Sequence, residues 1–504
     1  MSSLGRGIGA GLVSSGWLAA LSLVLAPIYV QLLGVESYGL IGLYTAALAI
    51  GGILDVALSA TVSREIAWRQ ARPNERREVA PLLRSVEIVY WVVVSAMALI
   101  MLFAGVTFGL GWPLGAALQD HQVKGALALM LLSLAIQLPS GLYTASLIGL
   151  HRQSLSAGLL AAFGTARGFG AALIVWVVSG DIRDFFMWHV VVGLVQVLCL
   201  RWQAWSYVSA LGGELRFTVA SLVSVKHAVG AMFLITAMGM VLSQMDKVVL
   251  AFLVPLESVG HYTLAWGLAS GLTIIANPVV QGFGVRFSAL ASSEKQDELE
   301  TQISRASRFI YVLVIPPAAI LALFPESILL VWVRNVEVAA AASAPLAFLV
   351  LGTAMVACTY PLLVAMYAKK EFKQVLLIQL ACLLIFFPML LWMIGSFGIL
   401  GAAMCWSIYG GGLFATYFIL TAIRHGKRLS MGLLKAFISI AAICLIVTVS
   451  IMHFLGRVSS HAEIVTSAGA ALILAWALSV YGCPELKQRI GDKLKRIRIF
   501  ISDK

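Results

Sequence analysis

Three charged side chains sit in stretches that otherwise read as lipid-spanning helix. Arg167 stands in AAFGTARGFGAALIV, and Asp246 and Lys247 interrupt VLSQMDKVVLAFLV. A charge placed in hydrocarbon costs about 3 kcal/mol or more, so each must face a wet cavity or a partner. The chemistry on offer is anion binding and charge transfer. A guanidinium presents planar donors that match phosphate oxygens, and a lysine supplies a compact point charge. Successive residues on a helix do not face each other, so Asp246 and Lys247 need not pair. Asp246 is then left to meet a cation elsewhere or to titrate in ion coupling, with Asp55 as its counterpart in the first half of the chain. Arg64 and Arg286 close two further apolar runs at one mouth, where they either catch phosphates first or simply set topology. For Arg167 the competing reading is a structural ion pair with a carboxylate on another helix.

The elements that must carry these residues follow from composition. The chain has 504 residues, 61% hydrophobic and only 12% charged, with a mean hydropathy of +0.95. Soluble domains average about 25% charged residues. Apolar runs near the roughly 20 residues needed to cross a bilayer recur from end to end, which reads as an all-α polytopic membrane protein. The first run, Ile8–Leu33, is too long for a signal-peptide core and is expected to remain as a helix. The predicted spans are fourteen: 8–33, 38–63, 85–108, 125–149, 154–178, 185–207, 227–254, 258–284, 308–331, 341–367, 374–396, 398–422, 434–455 and 463–482.

Charge tests that count. Of the 35 Lys and Arg, only Lys124, Arg183, Arg334 and Arg457 fall in one set of connections, and Arg167 and Lys247 fall inside spans. All the others lie on the opposite side, so the positive-inside rule places both termini in the cytoplasm. Arg167 then lies about 20 Å along the fifth span, near mid-bilayer, with its flanking glycines expected to leave the guanidinium uncrowded. Prolines 27, 139, 278, 316, 317, 361 and 388 fall within spans. Kinks at Pro27 and Pro278 would suit a hinge, and plain packing kinks would serve equally.

Several function classes find no support. The net charge of +12 is accounted for by topology and by the tail KQRIGDKLKRIRIFISDK, expected to lie as an amphipathic helix against anionic lipid. No nucleic-acid motif accompanies it. The six cysteines are scattered singly and the eight histidines show no metal spacing, so no metal or cofactor is expected. His189 reads as a locally satisfied or interfacial histidine. Nucleophile elbows, Walker loops and Rossmann glycines are absent, and pieces such as GIGAG, YGGGLF and GAAMCW read as close helix packing.

The sequence also repeats itself. QLLGVESYGLIGLY (31–44) and FLVPLESVGHYTLAW (252–266) align Glu36-Ser37 and Gly39 with Glu257-Ser258 and Gly260. Each joins the first helix of a half to its second on the outer side, which predicts a parallel repeat around a central cleft. The opening pattern, with Asp55 and SREIA, and the stretch SQMDKVVLAFLVPLESVGHYTLAW resemble Wzx-type polysaccharide repeat-unit flippases of the multidrug/oligosaccharidyl-lipid/polysaccharide (MOP) exporter superfamily. The resemblance implies two parallel six-helix bundles with a MATE-like arrangement, at 1–210 and 211–425, plus two added helices at 426–485 and the basic tail at 486–504. It implies a bacterial inner-membrane protein that moves undecaprenyl diphosphate-linked oligosaccharide for O-antigen or exopolysaccharide assembly, with a polysaccharide polymerase as partner. Arg167, Lys247, Arg64 and Arg286 would bind that substrate, and Asp246 and Asp55 would couple ions or serve as cavity partners. A cation-coupled drug exporter of the same fold is the alternative, although it calls for acids where Arg167 stands. A membrane enzyme would need a larger outer loop or a buried catalytic histidine. A lipid II flippase shares fourteen helices but is expected to carry basic residues early in its first, where this chain has none after Arg6.

Overall fold

The computed structural model describes residues 3–108, 121–293, 295–455 and 461–481. Among them the chain is helical throughout, without strands. Its helices are α1 (Ser3–Ala71), α2 (Val79–Phe108), α3 (His121–Gln137), α4 (Ser140–Gly149), α5 (Gln153–Ile174), α6 (Ile182–Ser209) and α7 (Val219–Leu253). They continue with α8 (Leu256–Ser292), α9 (Gln296–Leu323), α10 (Pro325–Val333), α11 (Val336–Ala368), α12 (Phe372–Leu455) and α13 (His461–Tyr481). Among the described residues eleven stretches are long and apolar enough to cross a membrane, and α13 contributes the shorter apolar stretch Thr466–Ser479.

Glycine and proline decide where one span ends and the next begins. α1 carries the first two predicted spans and breaks at Gly34, with φ 81 and ψ 165. α12 carries three and breaks at Gly398 (φ 59) and Gly426 (φ 82). Only glycine reaches such positive φ without a Cβ penalty, so these residues reverse the chain where a loop would otherwise be needed. Pro27 and Pro278 are carried inside helix, and the break in α1 lies at Gly34 instead.

One predicted span keeps its bounds across a break in its helix, and another is corrected. The fourth, 125–149, is α3 and α4, parted at Pro139, which has no N–H to continue the ladder. The ninth, 308–331, is parted at Phe324, where Pro325 opens α10, and α9 begins at Gln296, well before the predicted start. The fifth ends in a π-helical turn, Val175–Ser179, closed by left-handed Gly180, whose N–H donates to Val175 O at 2.9 Å.

Contacts divide the chain into two units, Met1–Thr263 and Leu264–Lys504. In the first, Val62 and Ile66 of α1 pack with Leu82 and Val86 of α2 and Leu142 of α4. Gly149 lets α4 approach α1 so closely that a Cβ there would lie 2.6 Å from Ser63 O. In the second, α11 and α12 cross at Gly352 and Gly410, where a Cβ on Gly410 would meet Gly352 O at 2.4 Å. Small residues permit such backbone approach where water cannot drive association. Large apolar side chains point outward instead, such as Trp176 and Ile423, as lipid allows. The packing role expected of GIGAG does not hold for Gly9 and Gly11, where an added Cβ would meet no described neighbouring residue within 4 Å.

Candidate functional site

Asp246 and Lys247 lie on α7, both about two turns short of its end at Leu253, and both are fully enclosed at 0% and 2% exposure. The expectation that these neighbours turn apart is corrected. Lys247 Nζ comes to 3.6 Å from Asp246 Oδ1 and donates to Gln244 Oε1 at 3.2 Å. Asp246 Oδ2 accepts a 2.5 Å hydrogen bond from the Tyr262 hydroxyl on α8. The reason is dielectric. With neither lipid nor water to solvate them, opposite charges gain most from each other, and a lysine stem is long enough to curl back. The pair therefore closes the α7–α8 hairpin upon itself.

The repeated motifs explain themselves beside it. A Cβ on Gly39 would lie 2.5 Å from Leu256 O and 3.1 Å from Gly260 N, while one on Gly260 would lie 2.1 Å from Val35 O. Val35 aligns with Leu256 just as Gly39 aligns with Gly260, so the contact is reciprocal, each glycine admitting the other copy's backbone. Gly42 continues the crossing, with Thr263 Oγ1 2.1 Å from where its Cβ would stand. Such self-complementary pairing is the signature of a two-fold-related contact.

Arg167 is in a different situation. It lies 14 residues into α5, about 21 Å along the helix. Its guanidinium donates from Nη2 to Oε1 of Gln196 on α6, and Nε is enclosed without a partner. No carboxylate among the described residues pairs with it. The side chain is half-buried. Its flanking glycines do not serve to leave it uncrowded, as the sequence suggested. They seat neighbouring helices: a Cβ on Gly164 would meet Leu18 at 2.3 Å, on Gly168 Leu25 at 2.5 Å, and on Gly170 the Trp188 indole at 2.4 Å.

Hydrogen bonds pin the α5 backbone on both sides of the arginine. Tyr29 of α1 donates to Gly168 O at 2.7 Å, and Trp188 of α6 donates to Ala166 O at 3.0 Å. Trp17 adds a 2.8 Å bond to Thr165 Oγ1. Arg167 is also within electrostatic reach of Tyr44 and His189. His189 is buried, its Nδ1 2.9 Å from Phe185 O and its ring stacked on Phe185 at 4.2 Å, so it is satisfied locally. Tyr44 and Ser133 share a 2.8 Å bond, and Gln137 donates to both.

The remaining expected residues are placed more simply. Arg64 on α1 and Arg286 on α8 are exposed. The Asp55 side chain and the basic tail lie outside the described residues. Among the described residues no group of three or more His, Cys, Asp or Glu could hold a metal.

One buried charge escaped the sequence reading altogether. Glu87 of α2, 2% exposed, accepts from Arg201 Nε at 2.8 Å, Tyr143 OH at 2.7 Å and Trp205 Nε1 at 3.2 Å, with Arg84 on its other oxygen at 3.0 Å. It ties α2, α4 and α6 together. A lone acid three residues after Arg84 at the edge of a span was the available signal, obscured because Arg84 and Arg201 were counted only for topology. In the second unit Arg424 pairs with Glu371 and donates to Gln374. Beside them burial pushes the Lys369 ammonium below the usual lysine range, against the pull of Glu371 and Glu300.

No protein-family model and no curated protein sequence matches the chain. Solved structures do. The lipid II flippase MurJ in an inward closed conformation superposes with a TM-score of 0.74 at 14% identity, over 94% of this chain and 98% of that one. An inward-facing multidrug-resistance MATE-family transporter of the MOP superfamily gives 0.63 at 14% identity, over 82% and 95%. A MOP superfamily transporter from Pyrococcus furiosus, described for the reverse polarity of its binding pocket, gives 0.55 at 14% identity, over 84% and 96%. The chain has the polytopic all-α fold that the MurJ flippase and the MATE transporters share.

Proposed function

We propose that the protein is a flippase of the bacterial inner membrane that moves a polyprenyl diphosphate-linked oligosaccharide to the outer leaflet, with both termini cytoplasmic. The single observation that carries this reading is Arg167, a cation inside a membrane-spanning helix whose only hydrogen-bond partner among the described residues is a neutral amide. Holding a charge there is costly, and a transported anion offsets it at the moment of passage. A diphosphate suits that role because a guanidinium binds phosphate oxygens bidentately. The sugars follow through a hydrated path while the polyprenyl tail stays in lipid.

The fold comparison supports a transporter rather than an enzyme. It also supports a lipid-linked cargo over a soluble drug, since the MurJ likeness extends over 94% of the chain and the MATE likeness over 82%. Assembly of O-antigen or exopolysaccharide, with a polymerase taking the product, is the process such a cargo serves. Lys247, fully enclosed and matched by Asp246, enters this scheme as part of the α7–α8 hairpin, and contact with substrate would require that pair to open. Arg64 and Arg286, being exposed, are available for a first encounter with phosphate.

The test is genetic and chemical. Deleting the gene should cause lipid-linked oligosaccharide to accumulate on the inner leaflet, and the wild-type copy should clear it. Arg167→Ala should insert normally yet fail to clear it, and Arg167→Lys should recover part of the flux. Full clearance by Arg167→Ala would refute the assignment.

A further inference from the structure

Resting on the reading of Arg167 as the anion site, we infer that Gln196 is its positioning and charge-specificity residue: a neutral acceptor that aims the guanidinium while leaving its positive charge uncancelled. Gln196 lies 14 residues into α6, and Arg167 lies 14 residues into α5, so the two meet at mid-span from neighbouring helices. Gln196 is itself 6% exposed, too enclosed to be a casual surface partner. Its Oε1 takes the Nη2 hydrogen of Arg167.

The seam between α5 and α6 is built around this contact. Trp188, two turns before Gln196, enters the space that Gly170 leaves open and donates to Ala166 O at 3.0 Å. That bond fixes the backbone immediately before the arginine. On the opposite side Tyr29 fixes the residue immediately after it, through Gly168 O at 2.7 Å. With the backbone held at both neighbours, one acceptor suffices to set the direction of the side chain.

The choice of acceptor carries the specificity. A charge buried for structural reasons is ordinarily met by its opposite, as the buried Glu87 is met by Arg201 in the same unit at 2.8 Å. Here the partner is an amide, which accepts a hydrogen bond of similar shape and contributes no negative charge. A guanidinium carries five N–H donors, and Arg167 uses one of them on the described residues. Nε is enclosed and without a partner among the described residues, so the described chain does not saturate this guanidinium. Phosphate oxygens are the acceptors such a group favours, whether on a lipid diphosphate or a free one.

Gln196→Glu is the deciding substitution because it is isosteric. It keeps the acceptor, strengthens the link to Arg167 and cancels the charge. The full-length protein in lipid nanodiscs is titrated with farnesyl diphosphate, and separately with inorganic pyrophosphate, to distinguish a lipid-borne from a free diphosphate. Wild type should bind farnesyl diphosphate, and Gln196→Glu should lose about tenfold or more in affinity while its thermal midpoint is unchanged or raised. Gln196→Met, which removes the acceptor and keeps the charge, should lose less, and it covers the case in which the glutamate variant fails to fold. A purely structural hydrogen bond predicts the reverse order, with the glutamate tolerated and the methionine impaired. Wild-type binding by both Gln196 variants alongside loss in Arg167→Ala would overturn the role of Gln196 and leave Arg167 standing. Wild-type binding by Arg167→Ala would remove the underlying reading instead. Equal binding of inorganic pyrophosphate would identify the free diphosphate as the ligand and overturn the lipid-borne source.

Discussion

Arg167 and Lys247 both stand within membrane-spanning helices of the first unit, and they are treated in opposite ways. Lys247 is sealed, with Asp246 at 3.6 Å and Tyr262 bracing the carboxylate at 2.5 Å. Arg167 is half-buried and, among the described residues, tied to one neutral amide with Nε left without a partner. A charge met by its opposite serves to hold the fold together, and one met by a neutral amide keeps its net charge. The location of a charge within an apolar run thus says less about function than the identity of what stands against it.

Substitutions separate the two cases, in descending order of the stability they cost. Lys247→Ala strands the Asp246 carboxylate among apolar surroundings and should cost about 3–5 kcal/mol, read as lost yield of folded protein and a lowered thermal midpoint. The double change Asp246→Asn with Lys247→Met should restore most of it, because no charge is then orphaned. A smaller loss is expected from Gly260→Val, whose side chain must displace the Val35 carbonyl, 2.1 Å from the Cβ position. Overpacking of this kind costs about 1–3 kcal/mol, and Gly39→Val should match it if the contact is truly reciprocal. Unequal effects of the two valines on the thermal midpoint would break the two-fold description. Tyr262→Phe removes the donor to Asp246 and should cost about 1–3 kcal/mol, the range for leaving a buried acceptor unsatisfied. Least costly should be Arg167→Ala, at about 1 kcal/mol, because it orphans only the Gln196 acceptor. The comparison sharpens if that variant melts close to wild type yet moves no lipid-linked oligosaccharide.

Much of the fold was legible before any coordinates. Apolar length marked the spans, and the one-sided basic residues kept their number in register. The glycines that part α1 and α12 sit at the predicted boundaries, because glycine is the residue that reaches positive φ cheaply. The helix breaks beside Pro139 and Pro325 were not legible, because they fall within apolar runs where hydropathy does not dip. The repeat was legible as well, though not that its two copies touch.

The candidate site was only half legible. Arg167 and the Asp246–Lys247 pair announced themselves as charges among hydrocarbon, and their partners did not. Gln196 is 29 residues from Arg167, Tyr262 is 16 from Asp246, and Arg201 is 114 from Glu87. Gln196 and Tyr262 are unremarkable residue types in a helix, so nothing in their neighbourhoods singles them out.

The sequence by itself determined how many times the chain can cross a bilayer, which side of it is basic, where glycine turns the path, and that charges are embedded within. Only the tertiary structure decided which of those charges are cancelled and by whom. The physical reason is that a lipid-facing helix can be apolar on every side, so periodicity cannot say which face meets a neighbour. The facing is set by small-residue contacts between distant segments, and the electrostatic character of each charge is set with it.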